Sequence, residues 1–142
     1  YRLQSIFIIL AVILLITLSD QLSVIAFKET FQRLRPSHNT NIAHMVHIVN
    51  DYRGGSYGFI SNHAANSFAL ATFLTLLFRN KYFSILLLFW ACLVSYSRIY
   101  LGVHYPADIV GGGIVGSVIG GLIFYFYVRI TNYFLLKKKK EL

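Results

Sequence analysis

The fold of this chain is decided by the stretch SRIYLGVHYPAD, residues 97–108. It places Arg98, His104 and Asp108 directly before a long apolar run. Pro106 suits the first helical turn, where its missing N–H has no intrahelical partner anyway. His104 is therefore expected just before a helix, and Asp108 in its first turn, where a carboxylate can reach back towards the preceding residues. A cation, a base and a carboxylate at the start of a membrane helix indicate chemistry on a phosphate group.

Composition indicates a membrane protein. The 142 residues are 56% hydrophobic and 13% charged, whereas soluble domains average about 45–50% and about 25%. The length suits a single domain, 1–142. The sequence pI is about 9.8, but the positive charge is divided between a C-terminal tail and the candidate site, so a nucleic-acid partner is not expected.

Four apolar segments predict an all-α, polytopic transmembrane helix bundle. A span needs about 20 residues, with about 17 as the lower end. The segments run from Leu3 to Phe27, Ala64 to Phe78, Tyr82 to Tyr96 and Ile109 to Leu136.

Basic residues predict the orientation of these spans. If all four segments cross, Arg2, the Arg79–Lys81 turn and the run Lys137–Lys140 fall on one side, which the positive-inside rule makes cytoplasmic. The C-terminus is then cytoplasmic, and the motif regions face the periplasm or exterior at the membrane–water interface. We interpret the lysine run as a solvated tail, with recognition of anionic lipid as the alternative.

A glycine stripe predicts close helix packing in the last span. Gly112, Gly116 and Gly120 recur every four residues, a spacing that lets another helix approach closely. The pattern does not tell whether that helix comes from the same chain or from a packing partner.

Two further groups of residues are candidates for the same site. Lys28 and Arg35 lie seven apart and would share a face of a continuous helix. Pro36 favours an extended backbone at Arg35 and hence a boundary there. Ser61 is a candidate N-cap, and a helix N-terminus attracts anions.

His63 follows Ser61 and Asn62 in that first turn. Each candidate has a simpler explanation when taken alone. Basic residues often contact lipid headgroups, a lone histidine is often structural, and a first-turn Asp108 can simply compensate the helix dipole. Taken together these explanations are weak, because all three groups are expected on the same side of the membrane.

The motifs resemble those of the type 2 phosphatidic acid phosphatase superfamily. The pattern is Lys, six residues, Arg-Pro; then Ser-x-His; then Ser-Arg, five residues, His, three residues, Asp. The resemblance covers Asp20 to about Gly121. Where the family usually has Pro-Ser-Gly-His, this chain has Ile60-Ser61-Asn62-His63. The family's membrane members usually have six spans, so we expect two spans to be missing ahead of Tyr1, with a shorter variant of the fold as the alternative.

The resemblance implies a role for each residue. His104 is similar to the nucleophile that forms a phosphohistidine, Asp108 to the carboxylate that orients it, and His63 to the general acid. The remaining candidates are implied in binding the substrate phosphate: Lys28, Arg35, Ser61, Asn62 and Arg98.

The expected function is therefore that of a metal-independent lipid phosphatase with no cofactor. Undecaprenyl pyrophosphate is the first choice of substrate; phosphatidylglycerol phosphate, phosphatidic acid and lipid A phosphate stay open. The alternative is a non-catalytic membrane protein that binds anionic lipid headgroups. A bacterial inner membrane is the expected location. His44 and His47 are spaced to chelate a metal, but we expect no metal site.

Overall fold

The structure is a computed structural model that describes residues 2–140, with side chains described for residues 4–134. The chain forms α1 (Arg2–Leu22), a π-helical stretch (Ser23–Lys28), α2 (Glu29–Phe31), α3 (Asn62–Phe78), α4 (Lys81–Tyr100) and α5 (Pro106–Lys140). The segments α1, the π-helical stretch and α2 follow one another without a break until Gln32 adopts a left-handed backbone with φ 46°. The expected all-α helix bundle is confirmed.

Within the part of the chain that the structure describes, three helical stretches are long and apolar enough to cross a membrane: Gln4–Phe31, Lys81–Tyr100 and Pro106–Phe134. The fourth predicted span corresponds to α3, which has 17 residues and so lies at the lower end of the spanning range. The predicted start of the last span at Pro106 is confirmed. Side chains of the run Lys137–Lys140 lie outside the described residues.

The short helix α3 lies at the centre of the bundle and contacts α1, α4 and α5. Its buried side chains are small, with Phe73 the exception. Phe73 packs in a core with Leu15, Ile119 and Ile123. The outer faces of the long helices are apolar and exposed, as at Leu86 (61%), so in a membrane they would face lipid rather than protein.

The glycine stripe of α5 packs against α3 of the same chain. A Cβ atom added at Gly112, Gly116 or Gly120 would lie 2.7, 2.1 or 2.4 Å from a backbone oxygen at the start of or within α3. The two backbones therefore touch directly, which only glycine allows. The close neighbour at these glycines is internal, and a separate helix-packing partner there is not supported.

The connection from α2 to α3, residues 32–61, carries little regular structure. It contains two 3₁₀ turns, Pro36–His38 and Ala43–Met45. An antiparallel bridge pairs Leu34 with Tyr57. We call this segment the 32–61 loop. It lies over the ends of the helices that carry the candidate histidines.

Candidate active site

A cavity of about 240 Å³ lies where the end of α1, the start of α3, the 32–61 loop and the α4–α5 connection meet. It is lined by Asp20, Lys28, Arg35, Tyr52, Asn62, His63, Asn66 and His104. Sites that enclose a whole small ligand measure about 300–1,000 Å³. This cavity therefore suits a phosphoryl group and the atoms attached to it, with lipid chains left outside. Both candidate histidines face the same space, as the motifs predict.

His104 is held between a carboxylate and a guanidinium. Its Nδ1 lies 3.3 Å from Oδ2 of Asp108, and its Nε2 lies 3.4 Å from NH1 of Arg35. An ionised carboxylate only accepts hydrogen bonds and a guanidinium only donates them. The neutral ring consequently carries its proton on Nδ1, and the lone pair of Nε2 is directed to the side of Arg35.

Burial sets the protonation state of this ring. His104 is 3% exposed, and desolvation by burial lowers its pKa below the ordinary value, although the hydrogen bond to Asp108 opposes the shift. The charge of Arg35 also lowers this pKa. The neutral form, which can act as a nucleophile, is therefore favoured at neutral pH.

Asp108 is fully buried and links several parts of the site. Besides His104, its side chain accepts a hydrogen bond from the backbone N–H of Tyr105 at 2.9 Å and forms an ion pair with Arg33. Its own backbone carbonyl accepts a hydrogen bond from the N–H of Ser61 at 3.1 Å. Asp108 thus joins the start of α5, the start of α3 and the 32–61 loop.

Arg33 is a site residue that sequence reasoning missed. Its guanidinium lies over the rings of Tyr105, at 4.7 Å, and Phe59, at 5.2 Å, while its NH2 contacts Oδ1 of Asp108. The sequence offers no spacing rule that connects residue 33 with residue 108.

Lys28 and Arg35 line the same cavity but do not share a helix. The helix ends at Phe31, and Arg35 is extended, with φ −65° and ψ 156°. The physical reason is Pro36, which disfavours helical backbone in the preceding residue. The idea of one shared helix face is wrong, and Arg35 has the extended backbone expected before Pro36, although the helix has already ended at Phe31.

The loop backbone fixes the side chain of Arg35. Its Nε donates to the carbonyl of Tyr57 at 3.2 Å and its NH1 to that of Val103 at 3.5 Å. Gly54, with φ +66°, comes so close that an added Cβ would lie 2.7 Å from NH1. Desolvation by burial lowers the pKa of Arg35, and the positive charge of Arg98 acts in the same direction. An arginine nevertheless stays protonated in a protein.

Ser61 caps α3 as expected, since its side chain accepts a hydrogen bond from the N–H of Ala64 at 3.4 Å. Its side chain is fully buried and does not line the cavity. Asn62 does line it and donates from Nδ2 to Oδ1 of Asp20 at 2.6 Å. Asn66 lines the cavity one helical turn further on, a position that helical spacing from Asn62 could have indicated.

Arg98 and Asp108 complete the set of predicted residues. Arg98 is half-buried near the end of α4 and donates to Oγ of Ser97 at 3.2 Å, outside the cavity lining. Asp108 lies behind His104. The roles of Arg98 and Ser61 in binding phosphate stay predictions. Among the described residues, no three His, Cys, Asp or Glu side chains form a group that could hold a metal ion.

Two known proteins are similar to this chain in sequence. The chain is 50% identical over 119 residues to a lipid A 4'-phosphatase of Bacteroides thetaiotaomicron, covering 83% of this chain and 52% of that protein. It is 36% identical over 85 residues to the undecaprenyl-diphosphatase BcrC of Bacillus subtilis, covering 60% of this chain and 42% of that protein. The chain thus spans about half the length of these relatives.

A solved structure shows the same fold. The crystal structure of Aquifex aeolicus LpxE matches with a TM-score of 0.60 and 24% identity, over 88% of this chain and 69% of that one. Together with the apolar helices, these relatives show that the chain is an integral membrane protein. A model of the PAP2 superfamily matches residues 6–132, and the chain therefore belongs to the PAP2 superfamily.

Proposed function

We propose that this chain is the catalytic part of a membrane lipid phosphatase that works through a phosphohistidine. The observation that carries the proposal is the position of His104, whose Nδ1 is held by Asp108 while its Nε2 faces Arg35 in the cavity. A carboxylate on one ring nitrogen fixes the tautomer and leaves the other nitrogen free to attack. Such an arrangement suits in-line attack on a phosphorus atom held by the guanidinium.

The remaining residues fit the other needs of phosphoryl transfer. Charge on the equatorial oxygens must be stabilised by positioned cations, and Lys28 and Arg35 reach the cavity. Arg98 supplies a further charge nearby. The leaving oxygen needs a proton, and His63 on the same cavity wall is the candidate donor, a contribution typically worth about 10²–10⁴-fold in rate.

The steps balance without a further reactant beyond water. Nε2 of His104 forms a bond to phosphorus as the bond to the lipid oxygen breaks, and His63 gives its proton to that oxygen. Water then attacks the phosphohistidine while His63 takes a proton from the water; the phosphorus–nitrogen bond breaks, both histidines are restored and inorganic phosphate is released. Asp108 stabilises the charge that the ring of His104 carries between the two steps.

For the substrate, we propose a lipid A phosphate rather than undecaprenyl pyrophosphate, the first choice from sequence alone. That first choice is not confirmed. The support for the change is the higher identity to the lipid A 4'-phosphatase, 50% against 36% for the undecaprenyl-diphosphatase. We place the site at the outer face of a bacterial inner membrane, with the C-terminus cytoplasmic, because Arg2 and the Arg79–Lys81 turn lie at the opposite helix ends.

A direct assay tests the proposal. The protein is purified without added metal and supplied with lipid A, undecaprenyl pyrophosphate and phosphatidic acid, each with and without EDTA, and phosphate release is measured. We expect release from lipid A that persists in EDTA and falls by about 10³-fold or more in His104→Ala, as with loss of a catalytic nucleophile. Lipid binding without phosphate release in the parent protein would favour the non-catalytic alternative.

A further inference from the structure

The cavity lining contains groups of opposite hydrogen-bonding character. Lys28 and Arg35 are donors, whereas Asp20, in the last turn of α1, is an acceptor. A phosphate ion needs donors, since its oxygens are acceptors at neutral pH, and an ionised carboxylate can only accept. Asp20 is therefore unsuited to binding the phosphate itself.

The carboxylate of Asp20 is oriented by a hydrogen bond to one of its two oxygens. Its Oδ1 accepts a hydrogen bond from Asn62 at 2.6 Å. For Oδ2, the described residues provide neither a hydrogen bond nor an ion pair, and the atom is not sealed away from the cavity. Lys28 shares the cavity without forming an ion pair with Asp20. A free acceptor of this kind is positioned for a donor that comes from outside the protein.

The side-chain amides of Asn62 and Asn66 also have oxygen atoms without a hydrogen-bond donor among the described residues. Because the Nδ2 of Asn62 is directed at Asp20, its Oδ1 points away, and this atom is buried with no hydrogen-bond partner among the described residues. The Oδ1 of Asn66 is buried without a partner in the same part of the chain. Buried acceptors are normally paired, so the described residues supply few donors around Asn62 and its partner Asp20.

We propose that Asp20, oriented by Asn62, forms a subsite that accepts a hydrogen bond from a hydroxyl or N–H group next to the phosphoryl group of the substrate. The substrate class is then a phosphomonoester on a hydroxyl-bearing headgroup, such as the sugar of a phosphorylated glycolipid. A second phosphate at this position would be repelled by the carboxylate, which disfavours a pyrophosphate. This inference rests on the proposed phosphatase function and adds to it the part of the substrate that is recognised.

The test compares two phosphomonoester lipids that differ in the headgroup. The phosphorylated sugar of lipid A carries an amide N–H and a free hydroxyl, and phosphatidic acid offers neither. The kcat/KM ratio of lipid A to phosphatidic acid is measured for the parent protein, for Asp20→Asn and for Glu29→Gln. Glu29 is an exposed carboxylate outside the cavity, so it controls for the loss of one negative charge.

We expect Asp20→Asn to lower this ratio by about tenfold or more, because a hydrogen bond to a charged group is stronger than one to a neutral amide. Glu29→Gln should keep the parent ratio. Asn62→Gly, which removes the side chain that orients Asp20, should shift the ratio in the same direction by a smaller factor. An unchanged ratio in Asp20→Asn would overturn the subsite while leaving the phosphatase function intact. Failure of the parent protein to hydrolyse either lipid would overturn the phosphatase function instead.

A second measurement needs no variant, in case Asp20→Asn does not fold. Inhibition of the parent enzyme by 4-phosphoglucosamine is compared with inhibition by its 3-deoxy analogue, which lacks the hydroxyl beside the phosphate. We expect the deoxy compound to inhibit about tenfold more weakly. Equal inhibition by the two compounds would contradict the subsite.

Discussion

The two halves of the candidate site are held in place by different physical means. His63 and His104 lie at or just before the starts of α3 and α5, and these helices touch backbone to backbone along the glycine stripe. Arg33 and Arg35 lie on the 32–61 loop, where single hydrogen bonds and one ion pair hold them. The comparison shows that the histidines depend on helix packing, whereas the two arginines depend on local loop geometry.

The largest expected effect is on stability, and it comes from the contact between α3 and α5 along the glycine stripe. Gly116→Ala would place a Cβ 2.1 Å from the backbone oxygen of Ala65, so α3 and α5 must separate. Overpacking of this kind costs about 1–3 kcal/mol or more, and we expect a large fall in thermal stability in detergent. Gly121→Ala is the matched control because an added Cβ there meets nothing within 4 Å. Equal melting temperatures for the two variants would mean that the contact between α3 and α5 does not stabilise the helix starts that carry the histidines.

A smaller effect, on activity rather than stability, is expected in the loop. Gly54→Ala would bring a Cβ to 2.7 Å from Arg35 and would strain a backbone with φ +66°, so it should displace the guanidinium. We expect kcat/KM to fall by about 10²-fold, as a displacement of about 1 Å can cause. The adjacent Gly55→Ala has open space around the new Cβ and should keep parent activity. Similar losses in both would show that the position of Arg35 is not set by Gly54.

The sequence predicts the residues at the helix starts better than those on the 32–61 loop. The start of α5 at Pro106, the cap at Ser61 and the placing of His63 and Asp108 in first helical turns all follow from local rules of helix ends. Those rules depend on residues within one turn of each other, so they can be read from one sequence.

The contacts of the loop residues could not be predicted from these local rules. The contact between Arg33 and Asp108 joins positions 75 apart in sequence, and Tyr52 reaches the cavity through loop geometry alone. No periodicity encodes such contacts. Asp20 is a polar residue within an otherwise apolar helix, but its partner Asn62 is 42 residues away.

Arg33 provides the next test of the loop, with an intermediate effect. Arg33→Ala removes one of the partners of Asp108 while the contacts with His104 and Tyr105 remain. We expect kcat to fall about tenfold with little change in KM, since Arg33 positions Asp108 and lies outside the cavity lining. Arg53→Ala, an exposed arginine of the same loop that donates to the carbonyl of Ser37, is the control. A loss confined to KM would argue instead for direct phosphate binding by Arg33.

The smallest expected effect is the contribution of His104 to the pH dependence of stability. Burial lowers its pKa in the folded protein, whereas the unfolded chain has the ordinary value of about 6.5. Below that pH the unfolded state binds more protons at this residue, so the free energy of unfolding decreases as pH falls. Thermal unfolding between about pH 5 and about pH 7.5 should show this slope, and His104→Asn should reduce it. An identical slope in the variant would assign the dependence to other groups.

The hydrogen bond from the N–H of Ser61 to the carbonyl of Asp108 has a consequence for evolutionary change. Both partners are main-chain atoms, so no side-chain replacement other than proline at position 61 deletes the link between the starts of α3 and α5. A substitution beside it, as at Asn62, changes the cavity lining but leaves this main-chain bond in place. The cavity can therefore vary at that position while the two helix starts stay joined.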